Sequence, residues 1–486
     1  MQYVDLSDVQ GNILRGYGLP YVRHIVVKVA DAREARRFIG RTVSGSDDRP
    51  QVMSAAPWER DEKPDVCLNV GVTAAGLRAL GLPSASLSTF PAEFVEGAPG
   101  RAHKVGDVDE SAPEHWCDGL GDPDNAHLMW TIHASSESGL DAATGRLVES
   151  WHQSGAFIVT SRLDGAALPD ADEEAVVISG KDGSQTSHLG DKVHFGYRDS
   201  IAQPRFEVNG AVMGRSDDQP ATPVGAVLLG YAETSFPDVT WDSPQPKEFS
   251  DNGCYNAFRV LRQDVDAFEE FLEATAEQYS WNKEYVAAKL MGRWRNGVPL
   301  VLAHDEEWSQ PGAGMPASIS DTDLNDFDYP DYSEGRDDIE GRPCPLGAHI
   351  RRANPRGSRI VQRSANYTRP IVRRGMPYGP PYDPENPRDG RQRGLLGNFM
   401  CSSLIAQFEA VMYDWINLGL QDPRITGTND PIIGANKPET SRFEIRLDRE
   451  RSVELTGFPR FTHVEAGIYL FCPSLSGLRY LASLPN

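Results

Sequence analysis

Apolar positions along this chain recur at two spacings, and the spacing alternates. His24–Val29 reads as a strand, followed by a helix around Ala30–Ile39. The same order returns at Val66–Val72 and Thr73–Leu80, where Gly81-Leu82-Pro83 supplies a stop signal. It returns again at His127–His133 and Ser135–Trp151, with Ala156–Arg162 as a fourth strand. Beyond an acidic loop at Pro169–Glu174, the second half opens with Val224–Ala232, a Val/Leu-rich run that predicts a strand. Cys254–Leu261 predicts the next strand, and Asp264–Tyr279 a helix with Val265, Phe268 and Leu272 on one face. Asn282–Trp294 predicts a further helix and Leu395–Cys401 a strand. In the helix after it, Leu404, Phe408, Val411 and Trp415 form an i, i+4, i+7, i+11 stripe. Ala466–Cys472 and Leu475–Leu484 close the chain as strand and helix.

Strand–helix units in both halves imply two α+β domains, as the 486-residue length allows. Asp, Gly and Pro cluster at 205–223, which places the boundary at 215/216. The net charge of -22 comes from 48 basic and 70 acidic residues. Such a surface repels nucleic acid and anionic membranes, which excludes both as partners. The six cysteines are scattered without a CxxC pair and read as reduced thiols. No export signal and no membrane-length apolar run is visible, so the expected location is cytoplasmic.

Three segments carry chemistry. Cys344-Pro-Leu-Gly-Ala-His349-Ile-Arg351-Arg352-Ala-Asn354-Pro-Arg356 sets one histidine in a Gly/Pro-punctuated stretch with three arginines close behind. A neutral imidazole is a good axial ligand for haem iron, and nearby arginines can neutralise haem propionates. Ile371-Val-Arg373-Arg374-Gly-Met-Pro-Tyr-Gly brings two more arginines to a tight turn. Upstream, Phe195-Gly196-Tyr-Arg-Asp199-Ser200-Ile201-Ala-Gln203-Pro204 offers an acid/base carboxylate.

Together these segments resemble the dye-decolourising peroxidases, over most of the chain. The resemblance implies two ferredoxin-like domains with antiparallel sheets and peripheral helices, of the dimeric α+β barrel type. Residues 1–215 would carry the distal aspartate and residues 216–486 would bind most of one haem b. His349 would be the axial ligand of the iron, and Arg356 would reach a propionate. Arg351 and Arg352 would either assist Arg356 or pair with solvent and the acidic stretch upstream. Asp199 would be the acid/base and Arg373 the distal guanidinium, chosen over Arg374 by its place before Met376-Pro377. Arg374 would then point to solvent or a carboxylate. The family motif Gly-x-x-Asp-Gly departs here to Gly196-Tyr-Arg-Asp199-Ser200, which leaves the local backbone at Ser200 in question. Ser200, Ile201 and Gln203 would border the cofactor. Leu404 and Phe408 would contact the porphyrin, although a plain hydrophobic core explains them almost as well. Glu409 would orient His349, and Cys344 would be a packed thiol.

The activity so implied is reduction of H2O2 through an oxyferryl intermediate, with one-electron oxidation of dyes and phenolic compounds. Mn2+ is a candidate further substrate, with Glu269, Glu270, Glu273, Glu277 and Glu284 as the carboxylates. The acidic segment Asp321–Glu340 is read as a loop without metal. Surface Tyr or Trp residues would relay electrons from bulky donors, and the chain could form a homo-oligomer. Against the peroxidase stand a non-catalytic haem carrier or sensor, a dedicated Mn2+ oxidase and a cofactor-free anion binder.

Overall fold

The computed structural model describes residues 3–44, 51–58, 62–169, 177–179, 185–187, 192–199, 203–213, 221–232, 243–303, 324–330, 337–358 and 369–485. In the first half, β1 (Tyr21–Val29), α1 (Ala32–Arg41), β2 (Val66–Val72), β3 (Leu128–Ala134), α2 (Glu137–Ser154) and β4 (Phe157–Ala166) follow in order. Their local signals are strong. Asp31 caps α1 by accepting from the Glu34 N–H at 2.9 Å, and Ser136 caps α2 by accepting from Gly139 N–H at 3.1 Å. Gly155, at φ 66, ends α2 in the left-handed conformation that suits glycine. The four strands are antiparallel in the order β2-β3-β1-β4.

The second half contains β5 (Cys254–Gln263), α3 (Val265–Tyr279), α4 (Lys283–Met291), α5 (His349–Ala353), β6 (Val372–Tyr378), β7 (Gly394–Cys401), β8 (Thr462–Cys472) and α6 (Leu475–Ser483). Its strands are again antiparallel, in the order β6-β7-β5-β8. Across each sheet the positions are filled in turn by the second, third, first and fourth strand of that half. The halves therefore share one ferredoxin-like topology in an α+β fold.

Period-2 alternation assigns the two faces of each sheet. Val22, Val26 and Met129 of the first sheet meet Phe258, Val260, Leu396, Ile468 and Leu470 of the second in a core between the sheets. The opposite face of the first sheet, with Trp130 and Ile132, packs on Phe38 of α1 and Leu147 and Trp151 of α2. Each such large side chain contributes roughly 1.5–3 kcal/mol by leaving water. The two sheets join edge to edge where Phe471 of β8 pairs with Val72 of β2. Their other edges also touch. A Cβ on Gly165 of β4 would lie 2.9 Å from Met376 Cγ and 3.0 Å from Pro377 O of β6, so this crossing requires glycine.

Two expectations change. Val224–Ala232 is a buried turn, with a single 3-10 turn at Val224–Ala226. Its Leu228 N–H returns to Val224 O at 2.8 Å, and Gly230 adopts φ 92 beside Asp251. A continuous apolar run carries no period, so burial alone could not say strand. The stripe at Leu404–Trp415 is helical but widely wound, as π-helix over Leu404–Glu409 and Val411–Asn417. Leu404, Phe408 and Trp415 are buried, whereas Val411 is half-buried.

Candidate active site

His349 is the first residue of α5, reached through the Pro345–Ala348 turn, in which Ala348 N–H donates to Pro345 O at 3.0 Å. Its Nδ1 lies 3.0 Å from Oδ2 of Asp430. Asp430 is fully buried, and its other oxygen accepts the N–H groups of Ile432 and Ile433 at 2.8 and 3.0 Å. Burial acts to raise this carboxyl's pKa, but His349, Arg352 and the backbone donors outweigh it and hold the group below its ordinary range. Asp430 is therefore an anion that takes a proton-bearing Nδ1, which leaves the lone pair on Nε2. The His349 side chain is 20% exposed, and Nε2 makes no hydrogen bond among the described residues.

The arginines behind His349 lock α5. Arg352 donates to Gly347 O and Trp415 O, each at 3.1 Å, and to Thr428 O at 3.0 Å. Arg351 pairs with Asp338 Oδ2 at 3.1 Å and lies 4.2 Å over the Tyr329 ring. Both are buried. Arg351 thus pairs with the acidic stretch upstream, and Arg352 is spent on carbonyls. Arg356, also buried, donates to Asn325 O at 2.6 Å and stacks 4.2 Å from the Phe327 ring centre.

The structure brings Asp199 and Arg373 together across 174 residues. Arg373 Nη1 donates to Asp199 Oδ2 at 3.2 Å and Nη2 to Oδ1 at 3.5 Å. Gln203 Oε1 accepts the Arg373 backbone N–H at 2.9 Å, fixing the strand from which the guanidinium projects. Arg373 pairs with Phe399 and Pro377 with Leu395 across β6 and β7, so these side chains share one face. Strand alternation sends Arg374 the other way. It is held in the interior by Asn12 O at 2.9 Å, and burial pushes its pKa down to about 10. Its side chain is half-buried, and it pairs with no carboxylate among the described residues. Gly196 makes the turn before Asp199 at φ 83, where a Cβ would lie 2.7 Å from Arg295 Nη1. Ser200 and Ile201 lie outside the described residues.

Leu404 and Phe408 sit in the main core. The Phe408 ring lies 5.5 Å from Phe399 and 6.1 Å from Tyr469, with the Arg259 guanidinium 5.8 Å above it. Glu409 does not orient His349. It is fully buried against Arg101, at 2.9 and 2.6 Å, and accepts the Tyr469 hydroxyl at 3.2 Å. Asp430 takes the role expected of Glu409, and no local spacing announces it, because it lies 81 residues beyond His349. Cys344 is a packed thiol that burial pushes up to about 12.

Four of the five carboxylates considered for Mn2+ are engaged in ion pairs, and the fifth, Glu277, is exposed. Glu269 pairs with Arg295 at 2.5 Å and Lys283 at 3.1 Å, Glu273 with Lys283, Glu284 with Arg295, and Glu270 with Arg388. Among the described residues no group of three His, Cys, Asp or Glu side chains could hold a metal ion. Part of Asp321–Glu340 lies outside them. Also among the described residues, no helix is long and apolar enough to cross a membrane. Tyr3 and Tyr413 are the large aromatic side chains most exposed there, at 75% and 41%.

Paired ferredoxin-like halves, with a carboxylate-bound histidine and a separate Asp–Arg pair, define the class: an α+β protein whose site offers an imidazole nitrogen and a carboxylate beside a guanidinium. No family model matches the chain. Its relatives are consistent with one another. It is 28% identical over 508 residues to the multifunctional dye peroxidase DyP2 of Amycolatopsis sp., covering 98% of this chain and 96% of that protein. It is 27% identical over 501 residues to Peroxidase 2 of Mycetinis scorodonius, covering 99% and 88%. A solved dye-decolorizing peroxidase in complex with 2,6-dimethoxyphenol superposes with a TM-score of 0.76 at 25% identity, over 99% of this chain and 100% of that one. The fungal DyP-type peroxidase from Auricularia auricula-judae superposes at 0.78 with 21% identity, over the same shares, and speaks to the fold. The chain belongs to the dye-decolourising peroxidases and is an oxidoreductase that takes hydrogen peroxide as acceptor. Enzymes of this family carry haem. The residues here fit such a group: a histidine with Nδ1 held by a buried carboxylate and Nε2 unpaired, and a half-exposed Asp–Arg pair beside half-buried Leu395 and Phe399.

Proposed function

We propose that this chain is a haem b peroxidase in which His349 ligates the iron, while Asp199 and Arg373 handle proton and charge. Haem, when bound, supplies the iron at which peroxide is reduced and from which a donor is oxidised in one-electron steps. His349 would ligate through Nε2. The Asp430 carboxylate fixes the ring's orientation and makes it more basic. Asp199 accepts a proton from hydrogen peroxide and delivers it to the oxygen that leaves as water. Arg373 stabilises the negative charge of the deprotonated peroxide and of the departing oxygen. Its guanidinium lies 3.2 and 3.5 Å from the two Asp199 oxygens, close enough for one peroxide to meet both groups. Arg356 would meet a propionate. Gln203 would act through the Arg373 backbone, and Leu404 and Phe408 through the apolar packing behind Phe399. Dyes and phenols are the donors we infer, in line with relatives named dye peroxidases and one solved with 2,6-dimethoxyphenol.

The observation that carries this reading is the His349–Asp430 bond in a chain that also brings Asp199 to Arg373. The test is stopped-flow absorbance of the haem-loaded protein mixed with H2O2, beside Asp199→Ala and Arg373→Leu. Both variants should react more slowly, by about 10²–10⁴-fold for the carboxylate and about 10²–10³-fold for the guanidinium. His349→Ala should lose the wild-type Soret band. A wild-type Soret band that ignores peroxide would leave a haem carrier and sink the proposal.

A further inference from the structure

His349 leads a helix that cannot hold itself in place. α5 has five residues, far below the ~12–15 at which an isolated helix becomes stable, and its N-cap is Ala348, which has no side chain to accept from the first turn. The bond to Asp430 sets the ring of His349. The backbone that carries the ring is held by a second buried carboxylate, Asp338, in the segment before it.

Asp338 is 2% exposed and reaches both flanks of His349. Its Oδ2 accepts the Cys344 N–H at 2.9 Å, five residues before the histidine, and Arg351 Nη1 at 3.1 Å, two residues after it. Its Oδ1 accepts the Arg342 N–H at 2.7 Å, and its backbone O accepts Arg351 Nη2 at 2.8 Å. Arg351 closes the loop by donating from Nη1 to Cys344 O at 2.8 Å. From α4, the buried Lys289 donates to Arg342 O at 2.7 Å and to Pro343 O at 2.8 Å. A carboxylate thus takes the N–H groups of this turn and an ammonium takes its carbonyls.

Both charges are costly. Burial pulls Lys289 down to about 8, and it raises the Asp338 carboxyl although Arg351, two backbone donors and Lys289 oppose it. Well-packed apolar residues are often at least as stabilising as buried ionised ones, so stability alone does not account for the arrangement. Its product is a fixed backbone on either side of one histidine. A metal ligand has to be held within about 0.5 Å of its working position, which a five-residue helix does not achieve alone.

We propose that Asp338 is a positioning residue for His349, setting where Nε2 meets the haem iron through the 342–344 turn and Arg351. The inference rests on the haem reading above and adds to it a residue outside the His349 motif.

Asp338→Asn, Arg351→Lys and Leu147→Ala are loaded with haem beside wild type, and the iron–histidine stretching band of each ferrous protein is recorded by resonance Raman. Haem titration of each apoprotein gives the affinity, and thermal melting gives the stability. In Asp338→Asn an NH2 group must face either the Arg342 N–H or the donors of Cys344 and Arg351, so the turn and α5 should loosen. The band should shift or broaden, and haem affinity should fall about tenfold. Arg351→Lys cannot reach Asp338 and Cys344 O as a planar fork and should do the same to a smaller extent. Leu147→Ala empties core space on α2 and should melt lower with the wild-type band and affinity. An Asp338→Asn protein with the wild-type band overturns the proposal, whatever its melting temperature. So does a Leu147→Ala protein whose band changes as much, because loss of stability is then the cause. Should the asparagine variant fail to fold, the band of Arg351→Lys decides alone. A wild type that takes up no haem removes the haem reading itself, a result distinct from the others.

Discussion

Replacing Asp430 by asparagine isolates the bond on which the proposed iron ligand depends. Asp430 is fully buried, and its carboxylate accepts from His349 Nδ1, Ile432 N–H and Ile433 N–H. An amide of the same shape can keep the two backbone donors on its oxygen, but then its NH2 faces His349. Two donors now meet unless the imidazole proton moves to Nε2, which removes the lone pair needed by iron. Turning the amide over restores His349 and sets NH2 against the two backbone N–H groups. Either arrangement forfeits a hydrogen bond to a charged group, worth about 1.5–3 kcal/mol. Haem affinity should fall about 10–100-fold, in line with the loss of such carboxylate partners to metal-bound histidine. The assay is haem titration of the apoprotein together with spectroelectrochemical measurement of the ferric/ferrous midpoint. The midpoint should rise, because a less electron-rich imidazole stabilises ferric iron less. Glu409→Gln is the control, since Glu409 binds Arg101 and Tyr469 instead. Wild-type affinity and midpoint in Asp430→Asn, or a midpoint shift produced by Glu409→Gln, would refute the assignment.

Other outcomes follow from the same packing. Burial depresses His24 to about 3 and His133 and His194 to about 4, so below pH 6.5 the unfolded chain binds protons that the folded chain refuses. Stability should therefore drop as pH falls from 6.5 towards 4, with about 4 kcal/mol lost between pH 6 and 5 from these three; urea unfolding at several pH values reads the slope, and a flat profile contradicts it. Phe408→Ala removes a ring packed between Phe399 and Tyr469 and should cost about 3–5 kcal/mol in chemical denaturation, against under 1 kcal/mol if the site were loosely packed. Arg101→Ala leaves the buried Glu409 carboxylate, among the described residues, with Lys104 at 3.6 Å for charge; it should cost about 3–5 kcal/mol, restored in large part by adding Glu409→Gln.

Much of this molecule could be read along the chain, because local rules govern it. The runs read as strands at Val66–Val72 and Leu395–Cys401 became strands, and helices begin close to the expected starts at Ala30, Thr73 and Ser135, since side-chain spacing and capping act within a few residues. The motif around His349 and the Gly196–Asp199 segment were visible through their resemblance to the dye-decolourising peroxidases. What stayed hidden was set by contacts between distant residues. Alternation could assign Arg373 and Arg374 to opposite faces, but only the packed fold put Asp199 beside one and Asn12 O beside the other. Val224–Ala232 had composition without period, so the surrounding core chose a turn over a strand. Asp430, and not the nearer Glu409, became the partner of His349. Arg293 became buried with no carboxylate partner among the described residues, and nothing in its neighbours' spacing says so. A buried charge is decided by which groups the fold brings within a few ångströms, and that depends on every element at once.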